Sequence, residues 1–383
     1  MRHIAPTEKH VTHVITDLGD GGAQRSLYTL CKNENRCSHT VISLRGMGKY
    51  GSELADIGVT VVCLNLPKGK VTLRGLWRLT QLLSDRKIDV VQCWMYHANL
   101  AGSLVALVAR PRHLSWGIRH SDLKPGETPR GTRFVAKLGA YLSHFSPSVV
   151  ICCAETARQV HTGYGYAENK MIVIPNGYDL ERLKPDPSSG ERFREKHELT
   201  GEGPLIGFAA RLNPQKDHQN LLCAVKILKK KGVSVCCVLV GTGLEPDSSP
   251  LIDSIDRLDL RHEIKLLGPV DDIPAFMNAL DIHVMSSSFG EAFPNVLAEA
   301  MACGTPCVTT DVGDASLIVG ETGRVVPSQE PLKLAEGIES LLEARATSKW
   351  RELQHEARRQ VEENFSIAQF CQKHYEAWFP EKG

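Results

Sequence analysis

Two carboxylates, Glu291 and Glu299, stand eight residues apart in SSSFGEAFPNVLAEAMACGTPCVTTD, residues 286–311. A close pair of this kind suggests general acid and base work. The residues between them suggest another use. Pro294 fits the first turn of a helix, because it has no N–H to lose there, and Gly304 suits the stop. A helix starting at about Pro294 would present backbone N–H groups near Asn295, Val296 and Leu297, a ready site for phosphate. One glutamate then precedes that terminus and the other lies on the helix behind it. The pair can grip both ends of a nucleotide-activated substrate.

Two cations strengthen this reading. Arg211 and Lys216 flank the loop ARLNPQKD after an apolar run, where a guanidinium fork and a mobile ammonium can hold a diphosphate. Taken alone, a solvated loop would explain them equally well. His97, in WMYHAN, and His120, in GIRHSD, each follow a strand-like run, the position where ligands meet open α/β sheets. Gly19–Ala23 (GDGGA) and Gly241-Thr242-Gly243 are glycine turns that let a ligand approach the backbone. Neither completes the dinucleotide fingerprint: Gln24 occupies the sixth position of the first, and no acidic residue follows its second strand.

The elements that must carry these groups alternate. Val11–Thr16, Thr40–Leu44, Val59–Leu64, Asp89–Cys93, Leu114–Ile118, Val149–Ala154 and Met171–Ile174 read as strands, with helix-length segments such as Thr72–Ser84 and Asn99–Val108 between most of them. The second half repeats the theme, with strands at Leu205–Ala210, Val235–Val240, Ile264–Leu267, Ile282–Ser286 and Cys307–Thr310. This alternation predicts an α/β protein of two doubly wound parallel-sheet domains. Residues 1–178 form the first and 205–360 the second. Residues 179–204, rich in charge, Pro, Gly and Ser, read as a linker. Residues 361–383 form a terminal helix that can return to the first domain. A ligand is expected at the carboxyl ends of the strands, in a cleft between the domains.

Composition excludes several classes. The chain has 383 residues, 42% of them hydrophobic, and no apolar run long enough to span a bilayer or serve as a signal peptide. Its twelve cysteines form no Cys-x-x-Cys pair and mostly lie in apolar runs, so reduced cytosolic thiols are expected and a metal is not. The net charge of +1 hides an asymmetry. Residues 1–175 hold 22 basic and 12 acidic groups, a balance of +10, whereas the remainder holds 23 and 32, a balance of −9. No nucleic-acid partner is expected. The stretch Lys68–Arg78, with four cations around Trp77 and leucines, fits either an ordinary surface helix or peripheral contact with an anionic membrane.

The chain resembles the retaining glycosyltransferases of family 4, which have the GT-B fold of two facing Rossmann-like domains. The resemblance runs through GDGGA at 19–23, WMYHANL at 94–100, IRHSD at 118–122, IPNGYD at 174–179, ARLNPQKD at 210–217 and LVGTG at 239–243. It continues through LGPVDDIPAFMNALDIHVMSS at 267–287 and the block from Glu291 to Glu299. It implies that Arg211 and Lys216 neutralise the donor diphosphate, that Glu299 accepts hydrogen bonds from the ribose, and that Glu291 contacts the donor sugar. Backbone groups around Phe293, Asn295, Val296 and Leu297 would hold sugar and phosphate. Gly21 and Gly22 would admit the diphosphate and acceptor. His120 would stand near the reacting sugar, and His97 and Asn99 would touch sugar or acceptor. Ala210 replaces a glycine common in the family, and Trp94 stands where relatives often carry histidine.

The implied activity is hexosyl transfer with retention, from a nucleotide-diphospho-sugar to a glycan or lipid-linked acceptor. The setting would be polysaccharide, lipopolysaccharide or glycolipid assembly in the cytoplasm or at the inner face of the cell membrane. The donor is a substrate, and neither cofactor nor metal is required. A nucleotide-sugar 2-epimerase of the same fold, or a non-catalytic sugar-nucleotide-binding protein, remain the alternatives.

Overall fold

Nearly uninterrupted apolar strands require cover on both faces, and the intervening helices supply it. The computed structural model describes residues 9–380, apart from 68–71, 86, 125–127, 202 and 248. Lys68 and Lys70 of the basic stretch lie outside these residues. The chain divides into two units, Met1–Gly177 with Ile367–Gly383, and Tyr178–Ser366.

The first unit runs β1 (His10–Ile15), α1 (Gly22–Asn33), β2 (Ser38–Ser43), α2 (Gly48–Asp56), β3 (Thr60–Cys63), α3 (Leu73–Leu83), β4 (Val90–Trp94), α4 (Tyr96–Ala109), β5 (His113–Ile118), α5 (Arg130–Ser143), β6 (Val149–Cys152), α6 (Glu155–Tyr164) and β7 (Met171–Val173). Its seven strands are parallel, in the order β3-β2-β1-β4-β5-β6-β7. The order reverses between β1 and β4. With right-handed crossovers, α1 and α2 therefore cover one face and α3, α4 and α5 the other. The observed packing agrees: α1 lies on α2, α3 on α4, and α4 on α5.

The second unit runs α7 (Pro187–Lys196), β8 (Leu205–Ala209), α8 (His218–Lys230), β9 (Cys236–Val240), α9 (Ile252–Arg257), β10 (Ile264–Gly268), α10 (Ile273–Ala279), β11 (Ile282–Met285), α11 (Asn295–Ala302), β12 (Cys307–Thr310), α12 (Ala315–Val319), β13 (Arg324–Val326), α13 (Pro331–Arg345) and α14 (Lys349–Asn364). Six parallel strands stand in the order β10-β9-β8-β11-β12-β13, reversing between β8 and β11. Both sheets are doubly wound and Rossmann-like.

Two features differ from the reading of the sequence. β13 pairs in register with β12, Val308 against Arg324, although its three residues carry no clear strand pattern. Inside the segment 179–204, α7 forms and packs on α10. Asp186 caps it by accepting from Ser189 N–H, and Arg194 donates to the Ala279 carbonyl at 2.7 Å. A Cβ on Gly190 would lie 2.3 Å from the Asn278 carbonyl oxygen, so only glycine lets the two helices approach this closely.

The last helix, α15 (Ile367–Trp378), belongs to the first unit. Phe370 and Trp378 enter the core beside Trp94 and Ile174, and the Trp378 indole N–H donates to Gln92 Oε1 at 2.9 Å.

Candidate active site

The strand order reverses between β8 and β11, and the carboxyl ends of strands at such a reversal are the usual ligand position in these sheets. Lys216 comes from the loop after β8 and Glu291 from the loop after β11. Their side chains meet, with Lys216 Nζ 2.5 Å from Glu291 Oε1, and both are largely buried. The Ser287 hydroxyl donates to the same carboxylate oxygen at 2.8 Å. Ser286 stitches the two loops beneath them, its hydroxyl 2.9 Å and 3.0 Å from the carbonyls of Lys216 and Asp217. Ser287 N-terminal to the glutamate was not singled out by sequence, since a serine in a loop gives no signal until the fold turns it toward a carboxylate.

Behind this pair, α11 starts at Asn295 with Pro294 as its cap. Its first turn is braced by Tyr178, whose hydroxyl donates to Asn295 Oδ1 at 2.6 Å and whose ring stacks on Phe293. Phe293 is buried, and Asn295 and Val296 are half-buried. Leu297 corrects the expectation of three open donors. Its N–H is donated to the Pro294 carbonyl at 3.2 Å and its side chain is fully buried. Glu299 is buried on the second turn of the same helix. At the far end, Arg358 donates to the carbonyls of Ala302 (2.5 Å), Leu180 (3.1 Å) and Leu183. That guanidinium satisfies the Ala302 carbonyl that the helix end leaves open and joins it to the turn at Leu180 and Leu183.

Arg211 is exposed on the loop after β8. That loop is zipped to the glycine turn after β9: Ala210 N–H donates to the Val240 carbonyl at 2.9 Å, and Leu212 N–H to the Thr242 carbonyl at 2.8 Å. Gly241 adopts φ +140, and a Cβ there would lie 2.2 Å from the Ala210 carbonyl oxygen. Two buried histidines, His218 and His283, flank Phe208 in the core. Burial, and then the charge of Lys216, push them down to about 4 and about 3 respectively. They stay neutral near pH 7 and so add no charge that would repel an anion's countercharge.

In the first unit, Gly21 caps α1 and Gly22 is its first residue. Gln24, which breaks the dinucleotide fingerprint, has a job: its amide donates to Asp17 Oδ1 at 3.0 Å, and Gly19 N–H donates to the same oxygen at 3.1 Å. The His120 Nε2 lies 3.3 Å from the Thr128 hydroxyl. That hydroxyl donates to the Asp122 carbonyl at 2.7 Å, so the imidazole must donate to it. Burial lowers the His120 pKa, partly offset by Asp122. His97 is half-buried, with its pKa lowered by burial. Asn99 is buried, and its amide points at the Gly117 carbonyl at 3.3 Å. Neighbouring Tyr96 anchors the helix through a 2.7 Å hydrogen bond from its hydroxyl to His161 Nε2.

Arg119 and Trp94 form a group that no motif announced. The guanidinium lies over the Trp94 ring, 4.7 Å from its centroid, and donates to Asn176 Oδ1 at 2.8 Å. Ser26 donates to the same oxygen at 2.9 Å. Trp94 thus serves as the platform for a cation.

The fold also gathers His13, Cys31 and His39 within metal-ligand distance of one another, though they are far apart in sequence. Hydrogen bonding argues against a metal. The Trp94 indole donates to His13 Nδ1 at 3.2 Å, so the proton of His13 sits on Nε2. From there it is donated to His39 Nδ1 at 3.0 Å, and His39 Nε2 donates to the Glu34 carbonyl at 3.1 Å. Every ring nitrogen is used with both rings neutral. A metal on His13 Nε2 would need an imidazolate.

Comparison with known proteins bears on the whole chain. A model described as "Glycosyltransferase Family 4" matches residues 20–182, and one described as "Glycosyl transferases group 1" matches residues 189–364. The capsular polysaccharide biosynthesis glycosyltransferase CapM of Staphylococcus aureus is 28% identical over 305 residues, 77% of each chain. The crystal structure of Anabaena HepE in complex with UDP superposes with a TM-score of 0.84 at 23% identity, covering 96% of this chain and 98% of that one. A glycosyltransferase structure from Rickettsia africae also reaches 0.84, at 19% identity over 98% and 100% of the two chains. The same two-sheet architecture and the two matching family regions together place the chain: it belongs to the group 1, family 4 glycosyltransferases of GT-B fold.

Proposed function

We propose that the protein transfers a hexose, with retention of anomeric configuration, from a nucleotide-diphospho-sugar to a glycan or lipid-linked acceptor. The observation that carries this reading is the meeting of Lys216, Glu291 and Ser287 at the β8/β11 reversal, beside the N-terminus of α11. In the reaction the bond from the anomeric carbon to the diphosphate breaks and one to the acceptor oxygen forms on the same face. The acceptor proton passes to the departing phosphate. Negative charge grows on that phosphate, where Lys216, Arg211 and the α11 terminus would meet it, so the countercharge comes from the protein. Glu291 would position the sugar hydroxyls and Glu299 the ribose, while the neutral His120 would stand near the reacting sugar.

UDP is the first nucleotide to test, because HepE was solved with UDP and with UDP-glucose. The relative CapM acts in capsular polysaccharide biosynthesis, which supports an acceptor of that class. Among the described residues no helix is long and apolar enough to cross a membrane. The proposed setting is the cytoplasmic side of the cell membrane, reached by peripheral contact. The test is a thermal-shift screen with UDP, GDP, ADP and their sugars, since a ligand that binds only the folded state raises its apparent stability. One nucleotide and its sugar should raise the melting temperature. If none does, the donor reading fails.

A further inference from the structure

Helices that cover a sheet normally point apolar residues inward and polar ones outward. Three neighbouring helices of the first unit break this rule together. On α5 and the turn after it, Phe134, Leu138, Tyr141 and Phe145 follow at intervals of four, three and four, one face of a helix, and all four are exposed. Phe134 and Phe145 are each 72% exposed. The buried side of the same helix carries only small residues, Ala136, Gly139, Ala140 and Ser143. On α4, Leu107 is 75% and Val108 71% exposed, with Leu104 beside them. On α3, Leu73 and Trp77 are exposed one turn apart. Since α3 packs on α4 and α4 on α5, these side chains share one side of the unit.

Three helices about 10 Å apart give a width of about 20 Å. The eleven-residue step from Phe134 to Phe145 spans about 17 Å at helical rise. The resulting area, on the order of 300 Å², is as large as the largest apolar patch of a typical monomer, where such patches are often functional.

Charge says what covers it. Residues of α3, α4 and α5 include no Asp or Glu, yet Arg74, Arg78, Arg130, Arg133 and Lys137 lie on them. Arg110 ends α4. None of these cations has an ion-pair partner among the described residues. A second copy docked symmetrically on this face would set cation against cation. An anionic bilayer surface accepts both features: phosphates meet the guanidinium groups, while leucines and phenylalanines enter the headgroup boundary and Trp77 and Tyr141 suit its polar–apolar edge.

We infer that the outer face of α3, α4 and α5 is a membrane-docking surface for anionic lipid. This deepens the membrane contact proposed above, and its test is independent of the donor site.

The full chain should float with phosphatidylcholine vesicles that contain phosphatidylglycerol and stay behind with phosphatidylcholine alone, and high salt should weaken the binding. Replacing both Arg74→Gln and Arg78→Gln should weaken it about 25-fold, at about five-fold per cation. Leu107→Ser with Phe134→Ser should reduce flotation comparably, because exposed side chains can change without disturbing the core. Both variants should keep the wild-type thermal shift with UDP or whichever nucleotide stabilises the parent protein. Equal flotation with neutral and anionic vesicles would overturn the inference. So would serine variants that float like the parent, or a parent dimer in sedimentation that the serine variant dissolves.

Discussion

At the scale of single residues, Lys216 and Glu291 already neutralise each other before any ligand arrives. A diphosphate entering this site competes with Glu291 for the ammonium. Two substitutions separate the parts this carboxylate plays. Glu291→Ala removes the proposed sugar contact, the Ser287 acceptor and the counter-ion of Lys216, so transfer should fall at least about 100-fold, the loss expected of a group aimed at the transition state, while the circular-dichroism spectrum of the folded chain stays the parent's. Steady-state transfer of a radiolabelled sugar checks this, and turnover near the parent's would remove Glu291 from the site. Glu291→Gln keeps a hydrogen-bond acceptor for Ser287 but frees the charge of Lys216. Nucleoside diphosphate should then bind more tightly by a few-fold, even as transfer drops. Calorimetric titration with the stabilising nucleotide decides it: weaker binding would mean that the carboxylate is needed to aim the ammonium.

Elements hold these residues in place, and α11 shows how. This eight-residue helix is too short to be stable alone, so its position depends on contacts at both ends. Tyr178 braces the front, and Arg358 on α14 ties the rear by bridging the Ala302 carbonyl of α11 to the Leu180 and Leu183 carbonyls of the turn before α7. Arg358→Ala would leave those carbonyls open in a largely buried position. It should cost about 2–4 kcal/mol by loss of charged hydrogen bonds and lower the melting temperature by several degrees. Because the far end of α11 is the candidate phosphate site, nucleotide affinity should fall too, although Arg358 touches no ligand. An unchanged melting curve would show that α11 is held by packing alone. Sequence made the frame of this arrangement legible. All twelve strands expected from apolar runs form, most of them because a strand buried on both faces cannot hide its composition; β3, β7 and β10 are only partly covered and are legible from their β-branched residues, with leucines in β10. The start of α11 was readable from Pro294. β13 was not, being a three-residue edge strand that begins with an arginine. α7 read as linker because only Gly190 and Phe193 of its ten residues are buried, so its composition is that of a solvated surface. Lys216 and Glu291 could be found as charged residues at strand ends. Ser287, Tyr178 and the Arg119–Trp94 stack could not, since each acquires meaning only from a partner distant in sequence or turned toward it by the loop.

Across the whole molecule, histidine burial gives stability a pH dependence with a defined sign. His13, His39, His161, His218, His283 and His374 all have pKa values lowered from 6.5, in every case chiefly by burial. His161 and His218 fall to about 4, and His283 and His374 to about 3. Above pH 6.5 both the folded and unfolded chains hold these rings neutral, and the stabilisation is complete. Below it the unfolded chain takes up protons that the folded chain refuses, so stability declines as pH falls from about 6.5 toward 4. Ordinary carboxylates titrate below this range, so a loss between about pH 6.5 and 5 belongs to the histidines. Thermal unfolding in that interval should show melting temperatures that drop steadily with acid. One substitution isolates the cause. His283 is fully buried in the second unit, and neither ring nitrogen has a hydrogen-bond partner among the described residues. His283→Leu therefore removes no hydrogen bond and should cost little at neutral pH. It also removes one site of differential protonation, so the pH slope of that unit's unfolding should shrink by at most about 1.4 kcal/mol per pH unit. If the variant melts with the parent's slope, His283 is already protonated in the folded chain. The core beside Lys216 would then carry a second positive charge.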